Sequence, residues 1–328
     1  MAKVVLGIGA PQSPVLSIPP EHWGEFAERD KPKILYRPNG TQVTYAQLEE
    51  EAGDRFKGIV STQSFIKISA AAQKAVQRIK DEVAKARPDL LVVIADDQLE
   101  LFEENNMPLL SIYRGAELFR KPEALPASTP QWLQGLREAT TIDPARHYPG
   151  APDFANELIE RLVAREFDVA AASEPTSPGK GIGHASSFVA NRFVGEKRIP
   201  IVPLMVNVRW HPHVPSTARC YRLGQALRAA IEDSPRDLRV AILAVGGMSH
   251  LLSNETLDRQ VLAAMQAGDV ATLINLPKES LLGGSGQIKH WIVLAGALGE
   301  MKNQWVEYWP GYRTLGGTGT GLGFAAWS

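Results

Sequence analysis

The chain has 328 residues, 44% of them hydrophobic and 22% charged, with 35 lysines and arginines against 36 aspartates and glutamates. A chain of this length can bury a large core as one domain or two, and a formal charge of -1 offers no basic field for nucleic acid or an anionic membrane. The single cysteine, Cys220, excludes an internal disulfide framework and suits a reducing compartment.

In chain order, the first apolar run is Lys3–Ile8. It reads as a buried strand, and it is too short for the apolar region of an export signal, with Pro11, Pro14, Pro19 and Pro20 close behind. No run approaches the ~18 apolar residues of a membrane span, so the expectation is a cytoplasmic protein. Residues 19–69 are rich in charge and turn formers. Around the turn signal Arg37–Thr41, the flanks Ile34–Tyr36 and Gln42–Tyr45 predict a small hairpin. This region is read as an insertion or lid near a pocket mouth, within one domain spanning 1–328.

Ala72–Ala86 has Ala72, Val76, Ile79 and Val83 on one face of a helix, with Lys74, Arg78, Asp81 and Lys85 on the other. Leu90–Ala95, Ile201–Val208 and Arg239–Val245 are continuous apolar runs, the pattern of strands buried on both faces. Phe119–Pro149 carries prolines at 122, 126, 130, 144 and 149 and is read as a loop-rich surface excursion that could also cover a substrate. Asp153–Arg165 and Tyr221–Glu232 have helical periodicity, and Asn254 caps a helix containing Leu257, Val261 and Met265. The alternation predicts an α/β architecture with helices over a central sheet.

Three motifs are set aside. The glycine run 316–323 lies too near Ser328 for a dinucleotide-binding helix to follow, and is read as a backbone-crowded turn. Pro178–Gly183 lacks P-loop spacing and is read as a loop presenting His184. Ser249 beside His250 has no nucleophile elbow around it. Cys220 is read as a buried, inert thiol.

Several blocks, in order, resemble one known family. They are Gly7–Pro14 with Gln12, Pro88–Gln98 ending in Asp96-Asp97-Gln98, Gly183-His184-Ala185, Pro203–Asn207, Arg219–Gly224, Gly246-Gly247-Met248-Ser249-His250, and Gly284–Trp291 with Gln287. Together they resemble the class III extradiol ring-cleavage dioxygenases of the LigB type, represented by the protocatechuate 4,5-dioxygenase beta subunit. The resemblance implies a central mixed sheet flanked by helices. It also places Gln12 and Gln98 where the family keeps ligands of a catalytic iron, Gln287 where it keeps the glutamate, and His184 and His250 in the same pocket.

Two histidines and a carboxylate are the signature of oxygen-activating Fe(II) sites, whereas an amide oxygen is a weak, uncharged ligand. The expectation is therefore a pocket with no metal and no cofactor. His250 would be the general acid or base and His184 its partner or a phenolate stabiliser, while Gln12, Gln98 and Gln287 orient substrate oxygens. His290, three residues beyond Gln287, shares its helix face and is a further candidate for substrate contact. His211, in the segment Trp210-His211-Pro212-His213, is another.

The expected activity is metal-independent C–C lyase chemistry, retro-aldol or decarboxylating, on a phenolic small molecule. One alternative is an Fe(II)-dependent extradiol dioxygenase, for which Glu100 is a further ligand candidate. The other is a catalytically silent subunit of a heteromeric dioxygenase. The expected assembly is a homodimer, or a heteromer with a paralogue.

Overall fold

The computed structural model describes residues 1–121, 126, 128–175 and 180–328. Thr176–Gly179 of the loop before His184, and Pro122 of the proline-rich excursion, lie outside the described residues.

Among the described residues nine strands form the main sheet: β1 (Lys3–Ala10), β2 (Leu90–Ala95), β3 (Leu110–Tyr113), β4 (Ala170–Ala172), β5 (Ile201–Val206), β6 (Arg239–Val245), β7 (His250–Leu252), β8 (Asn303–Tyr312) and β9 (Thr318–Trp327). The spatial order is β7-β9-β1-β6-β2-β5-β3-β4, with β8 paired to β9. The centre, β1-β6-β2-β5, is parallel. Antiparallel pairing joins β3 to β5 and β9 to β1, β7 and β8, so the sheet is mixed, as the resemblance implied.

Alternation along β2 divides the core. Leu91, Val93 and Ala95 enter one cluster with Ala72, Val76 and Ile79 of the helix Thr62–Ala86. Leu90, Val92 and Ile94 enter the other, under the helices Pro152–Val163, Thr217–Glu232, Glu255–Ala267 and Ile288–Leu298. Helices on both faces explain why the central strands read as unbroken apolar runs. Cys220 is fully buried in Thr217–Glu232, and burial pushes its thiol up to about 12. Among the described residues no helix is long and apolar enough to cross a membrane.

Two expectations change. The helix predicted over Ala72–Ala86 begins at Thr62, where the Ser61 hydroxyl accepts from the Ser64 amide at 3.3 Å. Its first turns interrupt the apolar stripe with exposed Ile66 and Lys67, so residues 62–69 belong to this helix rather than to the insertion. The glycine run 316–323 is mostly strand, the start of β9, and not a turn. Crowding is real there: a Cβ on Gly319 would lie 2.2 Å from the Gly311 carbonyl oxygen, and one on Gly321 2.1 Å from Asp258 Oδ2. Glycine permits β8 and the helix Glu255–Ala267 to approach this strand.

The hairpin forms between Leu35–Tyr36 and Gln42–Val43, followed by the helix Tyr45–Ala52 with a Thr44–Gln47 capping box.

Candidate functional site

The parallel strands β1, β2, β5 and β6 end on one side of the sheet, the edge where open α/β folds place their ligands. Each strand delivers polar residues there. Gln12 follows β1, Asp96, Asp97 and Gln98 follow β2, Arg209 follows β5, and Gly246–His250 follow β6. Gln287 arrives from the opening of the helix Ile288–Leu298, and His184 from the first position of the helix His184–Val189.

These residues wall a cavity of about 290 Å³, lined among others by Gln12, Gln98, His184, Arg209, His250 and Gln287. The structure thus brings five of the seven sequence-predicted site residues together. His290 is fully buried off this cavity, its Nδ1–H donating to the Val245 carbonyl at 3.0 Å. Sharing a helix face with Gln287 does not bring it to the opening, because the helix packs that turn into the core. His211 is also absent from the lining. Asn207 pins its loop, accepting from the Trp210 amide and donating to the Trp210 and His213 carbonyls, and His211 itself is exposed. Leu136 and Thr140 of the proline-rich excursion, and Phe26 and Lys33 of the insertion, complete the wall.

The loop after β2 is shaped by Asp97, whose carboxylate accepts from the amides of Glu100, Leu101 and Phe102 at 3.2, 2.8 and 3.2 Å. Asp96, buried beside it, accepts from Gln287 Nε2 at 2.8 Å and Gln98 Nε2 at 3.2 Å, with Arg209 Nε 3.8 Å away. Burial works against the Asp96 charge. His290, Arg209 and His184, with the Gln287 amide, outweigh it and hold the carboxyl below its ordinary range. The sequence reading passed over Asp96 and Arg209. Their signal was an acidic pair and a lone arginine closing otherwise apolar strands.

The two cavity histidines have pKa values shifted in opposite directions. His184 Nδ1 lies 2.8 Å from Glu100 Oε1, which also accepts the His184 backbone amide at 3.0 Å and Arg120 Nε at 3.1 Å. Burial disfavours the imidazolium, but the Glu100 charge and hydrogen bond raise the His184 pKa above its usual value. His250 Nδ1–H donates to the Met248 carbonyl at 2.9 Å, leaving Nε2 as the acceptor. Burial, with Arg209 close by, pushes His250 down to about 4. Gly284 lies flat against this ring, where a Cβ would sit 2.6 Å from Nε2.

Ser249 takes no part in the opening. It is fully buried, and its hydroxyl donates to Asp258 at 2.8 Å.

Sequence comparison agrees with this placement. A family described as the catalytic LigB subunit of aromatic ring-opening dioxygenase matches residues 64–323.

The chain belongs to the LigB family.

Two relatives bear on it. A gallate dioxygenase of Pseudomonas putida (strain KT2440) is 39% identical over 110 residues, 30% of this chain and 32% of that protein. A 2,3-dihydroxyphenylpropionate/2,3-dihydroxicinnamic acid 1,2-dioxygenase of Comamonas testosteroni is 24% identical over 180 residues, 55% of this chain and 49% of that protein. The chain thus spans about a third of the first relative's length and about half of the second's.

The glutamines of this LigB-family chain do not fit a divalent iron. Gln287 is fully engaged, its nitrogen on Asp96 and its oxygen 3.0 Å from the Gly247 amide. The Gln98 nitrogen is also turned to Asp96. Gln12 has neither amide atom partnered among the described residues, and Gln98 leaves its oxygen unengaged. An amide nitrogen carries no lone pair for a metal, and two neutral amide oxygens make a poor site for a borderline cation. Glu100, the further ligand candidate, spends one oxygen on His184 and Arg120.

Proposed function

We propose that this LigB-family chain is an enzyme that binds a phenolic aromatic compound in the 290 Å³ cavity and acts on it by proton transfer without a bound metal, as a C–C lyase of the decarboxylating or retro-aldol type. The observation that carries the reading is the pair of histidines facing one cavity with pKa values driven apart, His250 downward by burial and His184 upward by the Glu100 carboxylate. Such divergence separates a base from an acid at a single pH.

Lys33, Arg209 and Arg313 line the same space and favour an anionic ligand. Arg313 is already paired to Asp30 at 2.7 and 3.1 Å, so Lys33 and Arg209 are the cations nearest to hand for a substrate oxygen. An anion beside His250 raises its basicity.

In the decarboxylating case, His250 Nε2 accepts the phenol proton. Electron density from the phenolate then reaches the ring carbon bearing the carboxylate, and His184 delivers a proton to that carbon. The carbon–carboxylate bond breaks, its electron pair returns to the ring, and carbon dioxide leaves. Return of the His250 proton to the oxygen regenerates the phenol, and solvent reprotonates His184, so one proton is taken up overall. Gln12, with both amide atoms unpartnered among the described residues, orients a substrate hydroxyl or carboxylate.

A second reading, Fe(II)-dependent ring cleavage, is favoured by the activities in the names of the two relatives. The two separate cleanly in a strictly anaerobic assay of hydroxylated benzoates with a metal chelator present. Release of carbon dioxide is the expected result. Turnover that appears only with Fe(II) and oxygen would overturn the proposal.

A further inference from the structure

A second cavity of about 600 Å³ lies against the first, and Arg209, His250, Leu251 and Gly284 belong to the walls of both. It opens between the hairpin and the helix Tyr45–Ala52 on one side and β7 with the segment 279–285 on the other. The thin partition exists because Gly284 has no side chain: a Cβ there would meet the His250 ring at 2.3 Å. His250 is therefore reached from two compartments.

We propose that the substrate spans both compartments: a phenolic ring in the inner cavity and a second aromatic ring in the outer one, with the bond between its halves beside His250. This rests on the acid–base reading of the inner site.

Three observations favour a second ring over a longer aliphatic or highly charged extension. Tyr36, Phe56 and Tyr312 present aromatic surface to the outer cavity, and Phe56 and Tyr312 sit with centroids 4.7 Å apart. Of the cations lining the outer cavity, Arg37 is held by Glu51 through two 2.7 Å hydrogen bonds and Arg55 lies over the Phe56 ring at 5.1 Å, while Arg209 belongs to the wall shared with the inner cavity. Buried Ser253 Oγ has no partner among the described residues, a handle for one hydroxyl or ether oxygen on the second ring. Size agrees. The inner cavity is at the lower end for a small-molecule site, of order 300 Å³, and the outer one extends it well into the usual range.

The test is binding, measured by titration calorimetry on the intact protein, because binding is read separately from turnover. The probes are a hydroxybenzoate and the same phenol linked through two atoms to a second hydroxyphenyl ring. Burial of the additional ring should tighten binding roughly tenfold or more. Ala52→Trp, which fills the outer cavity from its helix, should remove that gain and leave the one-ring probe unchanged. Glu279→Trp, from the opposite wall, serves as an independent blocking variant if the first fails to fold. Equal affinity for the two probes, or a gain that survives both blocking variants, overturns the two-ring proposal while leaving the inner site intact. Failure of both probes to bind overturns the phenolic reading and this inference with it. Tight binding of the two-ring probe without turnover supports the spanning site and counts against the lyase chemistry alone.

Discussion

Gln287 Nε2 donates to Asp96 at 2.8 Å, tying the opening of the helix Ile288–Leu298 to the end of β2 across 191 residues of sequence. The bond requires a donor at position 287, where the resemblance places a glutamate. The other end of the same amide accepts from Gly247, so this side chain holds the loop that carries His250. A carboxylate cannot do both.

Gln287→Glu should therefore destabilise the protein by about 1–3 kcal/mol near neutral pH, since it removes a buried donor and sets a second carboxylate against Asp96. The new carboxyl's folded pKa would lie above its unfolded value. The penalty then grows as pH rises through the unfolded value and is small below it. Urea denaturation at pH 5 and pH 8 checks this, and equal loss at both would speak against the Asp96 contact.

Glu100→Gln should lower the His184 pKa by removing the carboxylate that raises it. Where turnover needs the imidazolium, the alkaline limb of kcat/KM moves to lower pH in the variant. The same pair sets a stability window. The raised His184 contributes fully below its unfolded pKa, and that contribution is lost as pH climbs through its folded value. The depressed Glu100 contributes above its unfolded pKa and is lost as pH falls through its folded one. The pair is strongest between the ordinary carboxylate range and the raised histidine value. An unmoved alkaline limb would remove His184 from the acid role.

His250 has its folded pKa lowered to about 4, so the unfolded chain binds the extra proton first. Its neutral form supports folding above the usual histidine value, and stability falls by up to about 3 kcal/mol as pH drops from there toward 4. His250→Ala should cut turnover roughly 10²–10⁴-fold and flatten that part of the pH–stability curve. Retained turnover would end its assignment as base.

Gly321→Ala should cost about 1–3 kcal/mol or more, because the added Cβ would sit 2.1 Å from Asp258 Oδ2 and disturb the group that holds Ser249. A denaturation midpoint equal to wild type would contradict this packing.

Much of the fold was legible because periodicity is local. β2 and β6 match their apolar runs residue for residue, and Asn254 caps its helix as expected, accepting from the Leu257 amide at 3.2 Å. β9 was not legible, because its glycines answer to close approach by Gly311 on the paired strand and by Asp258 on a distant helix, which glycine content along the chain does not display. In the site, motif order located Gln12, Gln98, His184, His250 and Gln287 at one opening. What those residues do there depends on contacts the sequence does not display. Glu100 raises the His184 pKa from 84 residues away, and Asp96 fixes the orientation of two glutamines. His290 was misplaced because helical spacing gives a shared face but not the depth at which that face is buried.

The central claim is that these amides replace a metal site rather than form one. Its most direct test is the iron content of the protein after anaerobic incubation with excess Fe(II) and desalting. The account predicts iron far below one equivalent per chain. Near-stoichiometric iron, held through desalting, would contradict it and make oxygen-dependent ring cleavage the activity to assay.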